Sequence, residues 1–258
     1  MSKEYYQMGW TLDENYEEDY FCSRDNRRYF IKKNTTPMIA TLSAEGIVPR
    51  LRWTKRISNG DVLIAQDFEN GRTLNKEDMT DKRIPEILKK VHGSTKLKKI
   101  MKAQGYNEET AASSLRNLKS IIADELWKNG NIVDALNYLE NCIPDDNIEY
   151  TPCHTDLHKD NWLLSDQGKL FLVDWEHSIL CDPAIDISFV LYRYIPQSDW
   201  NEWLKIYGQE PTIKYRNRLK WYITLQSMIM IVWYHEKKQL SEMNSWLVFL
   251  NSVFNDFI

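Results

Sequence analysis

The segment from Cys153 to Asp186 constrains the fold of this chain more than any other, because it combines a tight hairpin with oxygen-bearing side chains at fixed spacing. Two apolar runs, Trp162–Leu164 and Lys169–Trp175, flank an Asp-Gln-Gly turn, which is the pattern of a β-hairpin. The return strand of such a hairpin carries Asp174 back beside Asn161. The sequence therefore predicts an amide and a carboxylate side by side at one end of a short antiparallel ribbon.

The spacing of three of these side chains indicates phosphoryl transfer. Amide and carboxylate oxygens are the ligands that Mg²⁺ prefers, so Asn161 and Asp174 are candidate ligands for ions that bridge nucleotide phosphates. Asp156, five residues before Asn161, is placed to orient an acceptor hydroxyl and take its proton. An Asp-Leu-x-x-x-Asn loop followed by a metal-binding Asp is the arrangement of the kinase catalytic site.

Two other interpretations of this segment compete. His154 and His158 are four residues apart and could bind zinc from one face of a helix, but the Asp-rich loop and the adjacent hairpin argue against a helix there. Asp and Asn also cap backbone groups in turns. Capping accounts for one such residue and not for four at fixed offsets.

The motifs resemble a known family. His-Thr-Asp-Leu-His-x-x-Asn at 154–161, Leu-Val-Asp-Trp-Glu at 172–176 and Asp-Pro-Ala-x-Asp at 182–186 resemble the aminoglycoside phosphotransferase and choline kinase family, whose usual loop reads HGDLHxxN. The stretch from Val173 to Gly208 resembles the Gram-positive branch with the cell-cycle regulator kinase CcrZ and the YtmP-type phosphotransferases. The resemblance implies that Asp186 hydrogen-bonds the catalytic-loop backbone. We assign supporting roles to Asp186, His154, His158 and Glu176.

The N-terminal residues predict the strands of a small kinase-like lobe. Aromatic-rich runs at Tyr5–Trp10, Tyr16–Cys22 and Arg28–Lys33 indicate an antiparallel meander. Its first turn would cover the phosphates, yet Gly9 is the only glycine there and acidic residues crowd the region. This departure motivates an alternative function, a catalytically weak, kinase-like regulatory protein that acts in cell-cycle control through partner binding.

The third strand supplies a phosphate-binding candidate. Lys32 lies on the same face as Phe30, toward the predicted cleft, whereas alternation turns Lys33 the other way. The strand is similar to the V-A-I-K strand, whose lysine contacts the α- and β-phosphates. Glu45, on a predicted short helix at 38–47, is then the ion-pair partner of Lys32.

Two further strands complete a predicted five-stranded sheet and lead into a hinge. They run from Pro49 to Ile57 and from Asp61 to Phe68, and an Asn-Gly turn joins them. The segment 66–71 then connects the lobes, where backbone N–H and C=O groups would bind adenine. Gln66 and Phe68 are our candidate nucleotide neighbours there.

The remaining chain predicts helices. Apolar periodicity indicates an amphipathic helix within 80–102 with a solvated basic face, and helices at 108–129, 132–142 and 213–239. Eight of the aromatic residues after position 199 are expected to form core, and some of them to line an acceptor pocket. They are Trp200, Trp203, Tyr207, Trp221, Tyr222, Trp233, Tyr234 and Trp246.

Composition narrows the choice of partners. The 258 residues include 33 basic and 37 acidic ones, so neither nucleic acid nor an anionic membrane is indicated as the main partner. The four cysteines lack the spacing of a disulfide framework or of a C-x-x-C site. The absence of an apolar leader and of a spanning run adds to the expectation of a cytoplasmic protein.

Together these features predict an α+β, two-lobed, protein-kinase-like fold, with an N-terminal lobe at 1–71 and a helical lobe at 72–258. The predicted reaction is the ATP-dependent transfer of the γ-phosphoryl group to a hydroxyl of a small molecule of the sugar, amino-alcohol or aminoglycoside type. ATP and Mg²⁺ are the expected cofactors. Thr155 replaces the arginine of protein kinases, and few residues follow Asp174 before the next helix, so protein substrates are disfavoured.

Overall fold

The computed structural model of the protein describes residues 11–13, 20–24 and 27–255. Three sequence predictions lie wholly or partly outside these residues: the strand Tyr5–Trp10 with Gly9, the first part of the strand Tyr16–Cys22, and the acidic residues between positions 14 and 19. The chain divides into two compact units. The first contains the described residues up to Asn75, with Thr95–Ile100 and His158–His177, and the second contains the rest.

The first unit is built on a five-stranded antiparallel sheet of order β1-β2-β3-β5-β4. Its strands are β1 (Thr11–Asp13), β2 (Tyr20–Arg24), β3 (Arg27–Lys33), β4 (Leu51–Arg56) and β5 (Val62–Asp67). One face of the sheet packs Ile31 against Leu63 and Ala65, all almost wholly buried. Because side chains alternate along a strand, Phe30 and Lys32 lie on the other face.

One short helix follows the third strand. Helix α1 (Ile39–Ala44) is shorter than the predicted 38–47, because Gly46 at φ 69° ends it in the left-handed conformation. Leu42 anchors α1 in the core with no exposed surface. Glu45 is the C-terminal cap of α1, and its N–H donates to Thr41 O at 2.9 Å.

A second, three-stranded sheet incorporates the hairpin that the sequence predicts. Strands β6 (Gly71–Thr73), β9 (Trp162–Ser165) and β10 (Leu170–Leu172) lie in the order β10-β9-β6, with Leu172 opposite Trp162. The approach of β6 to β9 requires glycine at 71, because an added Cβ would lie 2.2 Å from Leu164 O. Pairing with β6 makes the hairpin part of the first unit.

The second unit is mainly helical. Its helices are α2 (Arg83–His92), α4 (Ala111–Ile121), α5 (Gly130–Asn141), α6 (Ala184–Tyr194), α7 (Trp200–Tyr207), α8 (Ile213–Glu236) and α9 (Leu240–Asn255), while α3 (Thr95–Ala103) is shared between the units. Strands β7 (Glu108–Glu109), β11 (Ile179–Cys181) and β8 (Thr151–Cys153) form its small sheet in that order. Helix α8 packs against α4, α5, α6 and α9. None of the helices within the described residues is long and apolar enough to span a membrane.

The predicted single helix at 108–129 is wrong. Residues 108–109 form β7, and Thr110 caps α4 by accepting a hydrogen bond from Ser113 N at 3.0 Å. Asn129 likewise caps α5 through Asn131 N, so Gly130 begins a helix where the prediction ended one. Two capping side chains decide these boundaries. The predicted helix within 80–102 is likewise divided into α2 and α3 at residues 93 and 94.

A buried hydrogen-bond network in the second unit holds the backbone that leads to Asp156. Asp186, in the first turn of α6, accepts hydrogen bonds from His154 N and Thr155 N, each at 2.8 Å. The ring of His92, at the end of α2, joins Asp186 Oδ2 at 3.0 Å to the hydroxyl of Tyr207 at 2.8 Å. Three elements, α2, α6 and α7, therefore fix one loop.

The same network favours a charged imidazole. Burial is the largest influence on the pKa of His92 and lowers it, but hydrogen bonds to Asp186 and Cys153 outweigh burial and raise this pKa to about 9. Burial would raise the pKa of Asp186, but the His92 hydrogen bond and charge hold it below its ordinary value. We therefore interpret the pair as imidazolium and carboxylate at neutral pH.

Substituting His92→Gln should reduce stability in a pH-dependent way. A histidine whose pKa rises on folding stabilises the protein fully below its unfolded pKa of about 6.5, and this contribution is lost as pH rises through about 9. The wild-type advantage in the free energy of unfolding should therefore fall by roughly 3 kcal/mol between pH 6 and 10. Urea unfolding across this range measures it. His235→Gln, outside the network, is the control, and parallel curves for wild type and H92Q would refute the assignment.

Thr155 adopts an unfavourable backbone conformation. Its φ is 66°, in the left-handed region that a β-branched residue rarely occupies. Asp174 has φ 63°, so both motif segments contain such a residue. The N–H of Thr155 is held by Asp186 Oδ1. The surrounding hydrogen bonds thus maintain a conformation that threonine alone would avoid.

Thr155→Gly is therefore expected to stabilise the fold. Relief of left-handed strain, about 1–2 kcal/mol, should exceed the extra chain entropy that glycine loses on folding, about 0.5–1 kcal/mol. The midpoint of urea unfolding at pH 7 should rise. Thr151→Gly, the same change in the extended strand β8, should lower it. A lower midpoint for T155G would show that the threonine side chain, and not strain, dominates at this position.

Candidate active site

The first unit contains a cavity of about 440 Å³ between one face of the five-stranded sheet and the β9–β10 hairpin segment. Six predicted site residues line this cavity: Lys32, Gln66, Phe68, Asn161, Asp174 and Glu176. They come from three separate stretches of the sequence. The fold of the first unit therefore brings together most of the residues that we selected for nucleotide and metal binding.

Lys32 and Lys33, which are adjacent in β3, point to opposite faces of the sheet, as the sequence predicts. Lys32 lines the cavity, with its Nζ 5.8 Å from the centroid of the Phe30 ring, which also lines it. Lys33 is not a lining residue, and its Nζ forms an ion pair with Asp61 at 2.7 Å. Strand pleating thus gives the two adjacent lysines different surroundings.

The cavity walls carry an excess of negative charge. Among the described residues that line the cavity, Lys32 is the one cation. Five carboxylates share the walls with it: Asp67, Glu69, Asp160, Asp174 and Glu176. Arg52 neutralises Asp67, and Lys159 pairs with Asp160 at 2.7 Å. Such a surface favours a metal-bound polyphosphate over a free one, because like charges repel.

Asn161 and Asp174 meet at one end of the hairpin. Asn161 closes a single 3-10 turn at 159–161, where its N–H donates to His158 O at 2.9 Å. Asn161 O then accepts the N–H of Val173 at 2.8 Å, which places Asp174 one residue beyond the ladder. The left-handed conformation of Asp174 turns the chain away from β10. An amide oxygen, a carboxylate and surplus negative charge fit the requirements of Mg²⁺.

Gln66, near the end of β5, and Phe68, just after it, line the cavity on the side of the five-stranded sheet. The side chain of Gln66 is buried, with 6% of its surface exposed, and its Nε2 donates to Pro49 O at 2.7 Å. The ring of Phe68 lies 4.0 Å from the guanidinium of Arg28, and Phe68 N donates to Arg28 O at 3.2 Å. Both residues are thereby fixed by the five-stranded sheet.

The other predicted residues do not line this cavity. Glu45 and His158 belong to the first unit but not to the cavity wall. His154, Asp156 and Asp186 belong to the second unit. There, Asp156 N donates to His154 Nδ1 at 3.3 Å, and the next residue, Leu157, is wholly buried. The loop is therefore anchored on both sides of the half-buried Asp156.

Residues 154–158 form no α-helix, so the zinc interpretation of His154 and His158 is wrong. Sequence reasoning also missed His92, although a signal for it existed. His92 lies four residues after Leu88, on the buried face of α2, where an ionisable side chain needs a partner. No comparable signal identifies Tyr207 or Pro49 as hydrogen-bond partners, because both depend on tertiary structure.

The C-terminal aromatic residues are mostly core. Between 0% and 5% of the surface of Trp200, Trp203, Trp221, Tyr222 and Trp246 is exposed. Trp233 differs, with 44% exposed. Burial inside the second unit accounts for most of this group without any ligand.

Comparison with known proteins identifies the family. The model of the phosphotransferase enzyme family matches residues 16–222. Protein LicA of Haemophilus influenzae is 31% identical over 100 residues, which cover 35% of this chain and 37% of that protein. The chain is thus matched to little more than a third of the length of that curated relative.

Solved structures share the fold. The choline kinase LicA from Streptococcus pneumoniae has a TM-score of 0.64 at 20% identity, covering 94% of this chain and 93% of that structure. A spectinomycin phosphotransferase in complex with ADP and spectinomycin has a TM-score of 0.68 at 14% identity, covering 95% and 92%.

These matches confirm the predicted α+β, kinase-like fold and the predicted family, whereas the assignment to the CcrZ and YtmP branch stays a prediction. Because the family model covers most of the chain and its motifs, the protein belongs to the phosphotransferase enzyme family.

Proposed function

We propose that this protein is an ATP-dependent small-molecule kinase that transfers the γ-phosphoryl group of ATP to an alcohol group. The observation that carries this proposal is the single cavity lined by Lys32, Asn161 and Asp174 together with Gln66. Membership of the phosphotransferase family supports the reaction class. An enzyme that consumes ATP in this way would act in the cytoplasm, where ATP is made.

Different residues of the cavity would bind different parts of Mg-ATP. Lys32 would contact the phosphates, and Asn161 and Asp174 would hold Mg²⁺, with Glu176 nearby in the same wall. Bound Mg²⁺ supplies neutralisation of the charge that develops on the phosphoryl oxygens. With one lysine facing five carboxylates, the protein itself offers little of that neutralisation. The ion pair between Lys32 and Glu45 stays a prediction.

Asp156 would act on the acceptor. Its carboxylate orients the hydroxyl and takes the proton as the oxygen–phosphorus bond forms and the bond to the leaving ADP breaks. His154 and Asp186 would position it, since His154 Nδ1 accepts the N–H of Asp156 and Asp186 accepts the N–H of His154. His158, which begins the turn that leads to Asn161, would position that ligand.

The acceptor class is drawn from the similar proteins. One solved structure is named a choline kinase, and another is a phosphotransferase that holds spectinomycin. We therefore propose an acceptor with a free hydroxyl of the amino-alcohol, sugar or aminoglycoside type. A protein partner, as the regulatory alternative requires, finds no support in these comparisons.

Asp156→Asn should lower turnover without abolishing ATP binding. Losing the general base is expected to decrease kcat by about 10²–10⁴-fold, while the Kd for Mg-ATP stays within about threefold. Coupled-assay rates with the best acceptor from a panel of choline, sugars, nucleosides and aminoglycosides measure this effect. Asp160→Asn tests the neighbouring carboxylate. Because Asp160 is paired with Lys159, this substitution should lower kcat much less than D156N does. Asp166→Asn in the hairpin turn is the isosteric control.

Three outcomes separate the candidate functions. Equal rates for wild type and D156N would refute the base assignment. Binding of Mg-ATP without turnover of any acceptor would favour the regulatory alternative. Failure of the wild type to bind Mg-ATP would refute both nucleotide-based functions.

Lys32→Met and Lys33→Met form a matched pair. Loss of one charge-assisted phosphate contact, worth about 1.5–3 kcal/mol, should reduce kcat/KM for ATP by about 10- to 150-fold in K32M. K33M removes an ion pair with Asp61 on the opposite face and should change kcat/KM by less than about threefold. Steady-state kinetics against ATP compare the two variants. Similar losses in both would contradict the assignment of Lys32.

A further inference from the structure

Gln66 presents a fixed hydrogen-bond acceptor to the nucleotide cavity. It lies on β5, beside Phe30 of β3 in the strand register, and both residues line the cavity. Only 6% of its surface is exposed. A buried side-chain amide of this kind costs free energy unless both its donor and its acceptor find partners.

The orientation of the amide follows from its one protein partner. Pro49 O lies 2.7 Å from Gln66 Nε2, and a backbone carbonyl can only accept a hydrogen bond. The NH₂ group must therefore point to Pro49, which leaves Oε1 on the opposite side of the planar amide. Among the residues that the structure describes, none donates a hydrogen bond to this oxygen.

The adjoining backbone offers fewer donors than an open hinge would. Asp67 N donates to Arg50 O at 2.8 Å, and Phe68 N donates to Arg28 O at 3.2 Å. Both N–H groups are therefore committed to the sheet and are not available for a nucleobase. The side chain of Gln66 is therefore a candidate partner for the base beside the remaining backbone groups of residues 66–71.

We propose that Gln66 Oε1 selects adenine nucleotides over guanine nucleotides. The inference rests on the proposed function, in which this cavity binds the nucleotide. The 6-amino group of adenine carries two N–H donors, one of which meets Oε1. Guanine and hypoxanthine carry an oxygen at that position, so two acceptors would face each other in a buried site and leave Oε1 without a donor.

A competing recognition mode exists in the same cavity. The half-buried carboxylate of Glu69 lines it and could accept a hydrogen bond from the N1–H of guanine. Inosine triphosphate shares that N1–H and the 6-oxygen with GTP but lacks its 2-amino group. A site governed by Gln66 should therefore discriminate against ITP and GTP alike, whereas a site governed by Glu69 should accept both.

The test is the affinity of the wild-type protein for nucleotides in the presence of Mg²⁺, measured by displacement of a fluorescent ADP analogue. An unsatisfied buried acceptor costs about 1–3 kcal/mol, so ATP should bind about 5- to 150-fold more tightly than GTP or ITP. Purine riboside triphosphate, which lacks only the 6-amino group, should lose a similar factor relative to ATP. This comparison needs no variant and so does not depend on the folding of a mutant.

Gln66→Met provides the complementary measurement, since it keeps the length of the side chain and removes Oε1. The affinity for ATP should fall by about 5- to 150-fold while the affinity for GTP stays within about threefold, so that the preference disappears. Gln226→Met is the matched control, because Gln226 is also a buried glutamine that donates to a backbone carbonyl, Ile185 O at 2.8 Å, but lies in helix α8. It should leave the ATP preference intact.

The outcomes distinguish this inference from the proposed function. If wild type binds ATP and GTP equally, or GTP more tightly, Gln66 does not select adenine, and the kinase proposal stands. Gln66 is likewise excluded as the selecting residue if purine riboside triphosphate binds as well as ATP, or if Q66M keeps the wild-type preference. If no nucleoside triphosphate binds, the proposed function fails and this inference fails with it.

Discussion

The antiparallel pairing of β9 with β10 is the constraint on which the candidate site depends. Leu172 lies opposite Trp162, and the bond from Val173 N to Asn161 O extends this register by one step. A slip of one residue would turn every side chain of the hairpin to the other face and separate Asn161 from Asp174. The wholly buried Trp162 resists such a slip, because its ring would have to leave the core. A packed apolar residue thus fixes the geometry of two polar ones.

The two left-handed residues of the motifs are stabilised by different means. Asp186 holds the backbone at Thr155, and buried ionic and hydroxyl partners, His92 and Tyr207, support it. At Asp174 the following side chain contributes, since the indole Nε1 of Trp175 donates to Leu172 O at 2.9 Å and bridges the turn. Strained backbone persists only where its surroundings determine it strongly, and here it occurs at the proposed ligand Asp174 and directly before the proposed base Asp156. The left-handed residues therefore lower the stability of the fold, and they set the shape of the loops that carry Asp156 and Asp174.

Local patterns in the sequence predict the hairpin, the strand positions of Lys32 and Lys33, and a short helix near Glu45, although not its bounds, because alternation and turn chemistry act over a few residues. Local patterns do not predict a contact whose partner lies far away in the sequence. The acceptor of the Gln66 amide is Pro49, 17 positions away, and the partner of His92 is Asp186, 94 positions away. The prediction placed Thr110 inside a helix and Asn129 at the end of it, since capping depends on backbone geometry that a periodic pattern does not report.

The charges of the cavity couple its two proposed ligands. Five carboxylates and one lysine line the walls, so a polyphosphate alone would meet net repulsion and a divalent cation alone would meet attraction. Each ligand should therefore increase the affinity for the other by the same factor, as linkage requires. The contact that we propose between Gln66 and the base involves no charge. Base selection should then be insensitive to the metal, while overall affinity depends on it, because the two contributions come from different parts of the same cavity.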